Sequence, residues 1–243
     1  MGQSNIALST AQTNVRNLLD EANPQFWTNA MLASWLNEAC ADIQRKVEEL
    51  RMEAVINVTA LTATYPAPAD VLRIYKIDFV PSGVGNPLTY PLTFQGRIGM
   101  DAIWGNLQQQ PASWPEYYTT WYSPVGANAS GPASTNPTLE IQLYPSPAQS
   151  GTLNVFYYRL SQAAVNASDT LDLVPGWEDM VYDYCMYRAL QRDADPRWKD
   201  FKSTYDDRVE ELKGRTHPDW SDQPTYISRG LAGQPRWLLG DGY

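Results

Sequence analysis

Apolar residues recur at helical spacing near the C-terminal end of the chain. Pro175 and Gly176 indicate a turn, and a helix is predicted directly after it. Its first apolar face consists of Met180, Val181, Tyr184, Tyr187 and Leu190. A second face, formed by Tyr182, Cys185, Met186 and Ala189, predicts that this helix is covered on two sides. Asp195 and Pro196 indicate the start of another helix, whose apolar residues form one stripe: Trp198, Phe201, Tyr205, Val209 and Leu212.

The N-terminal region has the same helical periodicity. Residues 8–22 are predicted to form a short helix that Asn23 and Pro24 end. Thr28 is the expected N-cap of a longer helix. Its apolar stripe is predicted to continue for about seven turns, through Leu32, Leu36, Ala39, Ile43, Val47, Leu50 and Ala54.

The middle of the chain changes to a period of two. Strands are predicted from Val55 and over residues 71–80, 117–122, 139–144 and 151–160, with a turn at residues 65–70. Residues 91–110 are ambiguous and include a candidate short helix, and residues 123–138 have the composition of a loop. The pattern predicts an antiparallel sheet, sandwich or small barrel inserted between two helical ends.

The predicted fold class is therefore α+β, with three parts. Residues 1–54 and 171–213 form a helical domain, and residues 55–170 form a β-rich insertion. Residues 214–243 have little periodicity and form an extended arm with spaced aromatic residues: Trp220, Tyr226, Trp237 and Tyr243. Two interpretations stay open, a strap across its own domain and an arm that docks on a neighbouring subunit or another partner.

Three stretches of the chain resemble the head-to-tail adaptor (head-completion, connector) proteins of tailed phages, including the tail-tubular type. The first is residues 171–212, with the tyrosine-rich helix DYCMYRAL after LDLVP. The second is WLNEACADI at residues 35–43, and the third is TATYPAPADVLRIYKI at residues 62–77. Ala67 departs from the family's pattern, which usually has leucine there.

The resemblance implies a structural protein of the virion neck, made in the host cytoplasm. Copies would form a ring, typically of twelve, beneath the portal protein, and DNA would pass through its lumen without sequence-specific binding. The β-rich insertion would meet a downstream tail or nozzle protein, and the arm would clamp the portal. The outer face of the last helix would line the channel, meet basic residues of the next subunit, or simply be solvated: Asp206, Asp207, Glu210 and Glu211.

Composition and motifs exclude several other classes. A net charge of −9 argues against a generic binder of phosphate backbones, although it is compatible with DNA sliding through an acidic ring. Cys40 and Cys185 lie on predicted buried helix faces and are expected to stay reduced. No signal peptide and no apolar run of membrane-spanning length is recognisable.

The chain has no recognisable catalytic or cofactor motif. His217 is its only histidine, so we expect neither a histidine-based triad nor a zinc site, and we predict that the protein is not an enzyme and needs no cofactor. Adjacent acids on a helix point in different directions and are expected to be solvated. The alternative function is a carbohydrate- or protein-binding β-module of a tail or fibre component. It would use residues 117–122 with Trp104 or Trp114 as a stacking platform.

Overall fold

The computed structural model describes residues 6–21, 26–83, 88–96, 99, 112–122 and 138–216. The helices found there are α1 (Leu8–Leu18), α2 (Asn29–Val47), α3 (Glu178–Arg192) and α4 (Trp198–Thr216). The strands are β1 (Arg51–Val58), β2 (Thr64–Pro66), β3 (Val71–Pro81), β4 (Tyr90–Phe94), β5 (Tyr117–Tyr122), β6 (Leu139–Tyr144) and β7 (Gly151–Arg159). The fold is α+β, as predicted, because the strands lie between two N-terminal and two C-terminal helices.

The four helices share one apolar core. Leu32, Leu36 and Ile43 of α2 are buried against Val181 and Tyr184 of α3, in the cluster to which all four helices contribute. Both apolar faces of α3 are covered, as predicted, since its buried residues include Met180 and Tyr184 as well as Cys185 and Ala189. By contrast, among the residues of α4 whose burial is described, only Tyr205 and Val209 are fully buried, and the opposite side is exposed.

Side-chain contacts give the directions of the helices. Met31 and Glu38 of α2 contact Arg192 and Arg188 of α3 respectively, so these two helices are antiparallel. Helices α3 and α4 are also antiparallel, because Asp183 pairs with Arg208 while Tyr187 contacts Tyr205. Helix α4 therefore runs in the same direction as α2, towards the end of the helical region from which β1 departs.

Helix α2 ends earlier than the apolar stripe predicts. Its last residue is Val47, and Glu48 follows in the left-handed conformation (φ 53°). The side chain of Gln44 accepts a hydrogen bond from the Leu50 N–H (3.2 Å), which turns the chain away from the helix axis. The prediction that Leu50 and Ala54 continue the helix is wrong, because Ala54 is a residue of β1. Helix α1 likewise ends at Leu18 instead of residue 22.

The strands form one mixed, nearly closed sheet in the order β1-β7-β3-β4-β5-β6-β2. All neighbours are antiparallel except β4 and β5, where Thr93 and Phe94 lie opposite Tyr117 and Tyr118 in a parallel register. The sheet is thus barrel-like, but the expectation that it is purely antiparallel is wrong. Its inner face holds a second apolar core that includes Ile77, Phe79, Ile141, Leu143, Leu153 and Val155.

The segment around Tyr65 also differs from its prediction. Tyr65 and Pro66 belong to β2, which pairs with β6, whereas the sequence predicted a turn there. Proline is tolerated because β2 is an edge strand, which leaves one side of its backbone without a ladder. The hydroxyl of Tyr65 accepts from the N–H of Thr59 (3.2 Å) and lies 2.9 Å from the carbonyl oxygen of Thr59. This side chain links β2 to the chain just beyond β1.

The first residue of β7 has no room for a side chain. A Cβ atom at Gly151 would lie 2.4 Å from the backbone oxygen of Val80 and 2.9 Å from the ring of Phe79. We expect Gly151→Ala to lower the free energy of unfolding by about 1–3 kcal/mol, because β3 and β7 must separate. The matched control is Gly214→Ala in α4, where nothing lies within 4 Å, and we expect a gain of about 0.5–1 kcal/mol there. Urea unfolding measures both, and equal stability of the two variants would contradict the expectation.

Candidate interaction surfaces

A buried ion pair joins the sheet to the helices. The guanidinium of Arg159, the last residue of β7, pairs through two nitrogens with the carboxylate of Asp172, in the segment before α3, and both side chains are buried. The same carboxylate accepts from the N–H of Gln162 (2.6 Å). The N–H of Arg159 donates to the carbonyl of Leu50 (2.9 Å), so the pair also reaches the connection between α2 and β1.

A second set of polar contacts lies beside this pair. The carboxylate of Glu48 pairs with Arg73 of β3, whose guanidinium lies 5.3 Å from the ring centre of Tyr158. The hydroxyl of Tyr157 donates to Asp70 (3.0 Å). Burial, followed by this hydrogen bond, raises the pKa of Tyr157 to about 12. Because these contacts connect α2, β3 and β7, they hold the helical region and the sheet in one relative orientation.

The outer face of the sheet carries aromatic rings beside cations. Tyr75 lies 5.0 Å from Tyr158 and 6.4 Å from Phe156, measured between ring centres. The ammonium group of Lys76 lies 5.0 Å from the ring of Phe156 and also pairs with Asp78 (2.6 Å). The cations here have acidic partners within the chain, so this face is mixed in charge and lacks the basic stripe of a phosphate-backbone binder. This face was not recognised from the sequence, although the alternate aromatic residues Phe156 and Tyr158 of β7 were a usable signal.

The predicted acidic face of the last helix is partly neutralised by neighbouring cations. Asp206 pairs with Lys202, and Glu210 pairs with Lys213 (2.6 Å). Asp207 and Glu211 are exposed on the same side of α4, opposite the buried Tyr205. The structure thus brings the four predicted acids together on one outward face, as a mixed-charge surface.

The predicted arm lies almost entirely outside the described residues. Helix α4 continues to Thr216, so the first three residues assigned to the arm are helical. The four aromatic residues proposed as anchors, Trp220, Tyr226, Trp237 and Tyr243, all follow this point, and their roles stay predictions.

The proposed stacking platform is divided between two places. Trp114 is 40% exposed and lies 5.1 Å from the ring of Tyr90. Tyr122 is 68% exposed, but it stands at the other end of β5, about 16 Å from the start of that strand. Tyr118 is buried, and Trp121 donates its indole N–H to Glu140 (2.7 Å). Trp104 lies outside the described residues. The structure therefore does not join Trp114 and residues 117–122 into one surface.

The interior of the helical region contains the two thiols and a tyrosine network. Cys40 and Cys185 are both free and buried, as predicted. Burial, with a smaller contribution from Asp172, raises the pKa of the Cys40 thiol to about 12, and burial also raises that of Cys185. The hydroxyl of Tyr205 donates to Asp42 (2.7 Å), which also pairs with Lys46 (2.7 Å). Burial, followed by the bond to Asp42, raises the pKa of Tyr205.

In the described part of the chain, no group of three or more His, Cys, Asp and Glu side chains is arranged to hold a metal ion. None of the helices described above combines the length and the apolar character needed to cross a membrane.

The described features are those of an α+β protein whose two apolar cores are held together by buried polar contacts. A family model that represents phage head-tail adaptors matches residues 6–231 of the chain. That model is the SU10 adaptor protein, and the match covers both helical regions and the whole sheet. The chain belongs to the SU10 adaptor protein family. None of the curated proteins compared with the chain matches it.

Proposed function

We propose that this chain is a structural head-to-tail adaptor that assembles as a ring, of twelve copies, beneath the portal of a tailed phage. The observation that carries the proposal is the adaptor-family match over residues 6–231. The ring would extend the DNA channel and offer a surface to a downstream tail or nozzle protein. The role is architectural, without catalysis or a cofactor, and the protein resides in the neck of the virion.

The rigid connection between the helices and the sheet supports this role. A closed ring needs heterologous contacts, in which two different surfaces of each copy meet at a fixed angle. The contacts of Arg159 with Asp172 and of Arg73 with Glu48 hold the two regions of one copy in a fixed orientation. In this arrangement the helical region forms the ring wall, and the loops of the sheet face the tail. The mixed-charge face of α4 is a candidate for the contact between copies or for the channel lining.

The C-terminal segment is proposed to attach the ring to its neighbours. It begins after Thr216 and contains 27 residues (243 − 216), which reach roughly 90 Å when fully extended. Large aromatic residues supply much of the binding energy at protein interfaces. Trp220, Tyr226, Trp237 and Tyr243 are therefore the proposed anchors on the portal or on an adjacent copy.

Electron microscopy of the chain mixed with the portal ring from the same genome tests the adaptor role. We expect added density below the portal, with the portal's rotational symmetry and an open channel. The number of copies follows from the symmetry of that density. A folded chain that does not bind the folded portal at any of several salt concentrations would contradict the proposal.

Two variants test the attachment segment in the same experiment. Deletion of residues 217–243 should abolish portal binding but leave the described domain folded, because both described apolar cores lie before this segment. The double substitution Trp237→Ala and Tyr243→Ala should weaken binding about tenfold or more, as loss of aromatic anchors does. Undiminished portal binding by the deletion variant would show that the segment is not the attachment.

A further inference from the structure

Strand β1 has one side of its backbone turned away from the sheet. It is the first strand in the sheet order and pairs only with β7 among the described strands. The N–H of Arg159 donates to Leu50, which makes these two residues a hydrogen-bonded pair. Because antiparallel pairs alternate, Met52, Ala54, Ile56 and Val58 point their backbone groups at β7. The backbone groups of the alternate residues point away from it: Arg51, Glu53, Val55 and Asn57.

At the Thr59 end of this edge, an outward-pointing backbone group already has a hydrogen-bond partner. Thr59 follows in the same alternation, and its N–H donates to the hydroxyl of Tyr65, across the gap between β1 and β2. Strand β2 contains only three residues, so it covers the gap no further. Within the described part of the chain, no strand pairs with the edge from Arg51 to Asn57. This stretch is about 20 Å long, enough for an added strand.

Both faces of β1 leave an apolar side chain uncovered along this edge. Met52, on the side of the inner core, is 44% exposed, and Val55, on the outer face, is 64% exposed. A long edge strand with exposed apolar residues readily pairs with another segment. An occupant that fits would be a short strand with one large apolar residue on each of its faces.

The C-terminal segment starts beyond the end of the helical region from which β1 departs. Helix α4 runs parallel to α2, and Tyr205 lies beside Lys46, one residue before the end of α2. From Tyr205, α4 continues for eleven further residues (216 − 205), about 16 Å, past the end of α2, where the chain turns towards β1. The next eight residues, 217–224, span up to about 27 Å when extended. They therefore give residue 225 a reach of about 27 Å from the end of α4, on the side of the helical region from which β1 departs.

Residues 225–228 have the required sequence. Thr225, Tyr226 and Ile227 favour strands, and Pro224 and Gly230 stand at positions that begin and end one. Ile227 and Tyr226 point to opposite faces of such a strand, so one can cover Met52 while the other covers Val55. The family match includes this run and ends at residue 231, before the second apolar run at residues 237–239.

We propose that residues 225–228 add as a strand to the open edge of β1, from Arg51 to Asn57. The added strand provides hydrogen bonds to the outward backbone groups and covers Met52 and Val55. Of the anchors proposed above, Tyr226 then lies on the edge of β1, whereas Trp237 and Tyr243, within residues 232–243, extend beyond the sheet. The proposal concerns the isolated chain and is independent of the adaptor role, so either can fail without the other.

Disulfide cross-linking tests the pairing in the full-length chain. Ala54 is a non-hydrogen-bonded position with respect to an added strand, where Cβ atoms come closest. Ala54→Cys is combined in turn with Thr225→Cys, Tyr226→Cys, Ile227→Cys and Ser228→Cys, and non-reducing electrophoresis measures the product. Side chains on one face of a strand recur every second residue. We therefore expect about tenfold more cross-linking at one of the two alternate pairs, residues 225 and 227 or residues 226 and 228, than at the other pair. Cys40 and Cys185 are buried, and Ala54→Cys alone is the control.

Two outcomes of cross-linking support the proposal and two overturn it. An alternating pattern in a monomer places the segment on its own chain, and the same pattern in a ladder of oligomers places it on a neighbouring copy. Equal cross-linking at all four positions would show that the segment reaches the edge without pairing as a strand. In a second series, Ala54→Cys is combined with Trp237→Cys, Leu238→Cys or Leu239→Cys, and preferential cross-linking there would identify a different occupant. Either of these results overturns the proposal.

Amide hydrogen exchange gives a second measurement that needs no cysteine. A four-residue strand turns the backbone groups of two alternate residues towards β1. Two neighbouring N–H groups in the series Arg51, Glu53, Val55 and Asn57 should therefore exchange about tenfold or more slowly in the full chain than in the variant lacking residues 217–243. Either Tyr226→Pro or Ile227→Pro should remove the protection, because one of these two adjacent N–H groups must face β1 and proline has no N–H for the ladder. Ile227→Val should keep it. Equal exchange in the full chain and the deletion variant, or protection only after portal is added, overturns the proposal.

Discussion

Asp172→Ala is expected to lower the free energy of unfolding by about 3–5 kcal/mol, the cost typical of removing one partner of a buried ion pair. The substitution leaves the guanidinium of Arg159 buried without its carboxylate and removes the acceptor of the Gln162 N–H. Since this pair joins β7 to the segment before α3, we also expect faster amide exchange in both. Urea unfolding and amide exchange measure the two effects.

An exposed pair of the same residue types is the matched control. Asp195 pairs with Arg197 (2.6 Å) at the start of α4, where the arginine side chain is largely exposed. Asp195→Ala should lower the free energy of unfolding much less than Asp172→Ala does, because exposed ion pairs contribute little. The double variant Arg159→Met with Asp172→Leu should recover much of the lost stability, because no buried charge is left. If Asp172→Ala lowered the free energy of unfolding no more than Asp195→Ala, the ion pair of Arg159 with Asp172 would not be what holds β7 to the segment before α3.

Tyr205→Ala is expected to lower the free energy of unfolding by about 3–5 kcal/mol, as truncation of a large buried aromatic side chain does. Tyr205 is 1% exposed, and its ring contacts Tyr184 and Tyr187 of α3. It and Val209 are the only fully buried residues of α4 among those described. We therefore expect α4 to separate from α2 and α3, and limited proteolysis within residues 198–216 should become faster.

Tyr205→Phe separates packing from hydrogen bonding. This variant keeps the ring and removes only the bond to Asp42, which retains its ion pair with Lys46. We expect a cost of about 1 kcal/mol, typical of a single hydrogen bond, and no increase in proteolysis of α4. Equal destabilisation by the phenylalanine and alanine variants would mean that the hydrogen bond, and not the packing of the ring, holds the helix.

Periodicity predicted the long elements of the chain because their side chains repeat with the geometry of the backbone. The apolar faces of α3 repeat every three or four residues and are buried in the structure. Strands β5 and β6 begin and end at the predicted residues, Tyr117–Tyr122 and Leu139–Tyr144. The resemblance to phage adaptors carried by residues 35–43, 62–77 and 171–212 is confirmed by the family match.

Local patterns failed where distant contacts decide the conformation. The apolar residues Leu50 and Ala54 continue a helical stripe, yet Glu48 turns left-handed and pairs with Arg73, which lies 25 residues later in the chain (73 − 48). Tyr65 stands in a proline-rich run typical of a turn, but it pairs with Ile141 of β6 and is therefore part of a strand. The parallel contact of β4 with β5 depends on how the chain crosses the sheet, which no local pattern encodes.

The sequence by itself determined the α+β class, the buried faces of the helices and membership of the adaptor family, since these depend on spacing and residue order along the chain. Tertiary structure alone decided where Arg159 meets Asp172 and which side of β1 remains open. It also showed that cations of the same helix accompany Asp206 and Glu210. An ion pair, an edge and a surface charge are properties of residues brought together in space, and their distances in the sequence do not specify them.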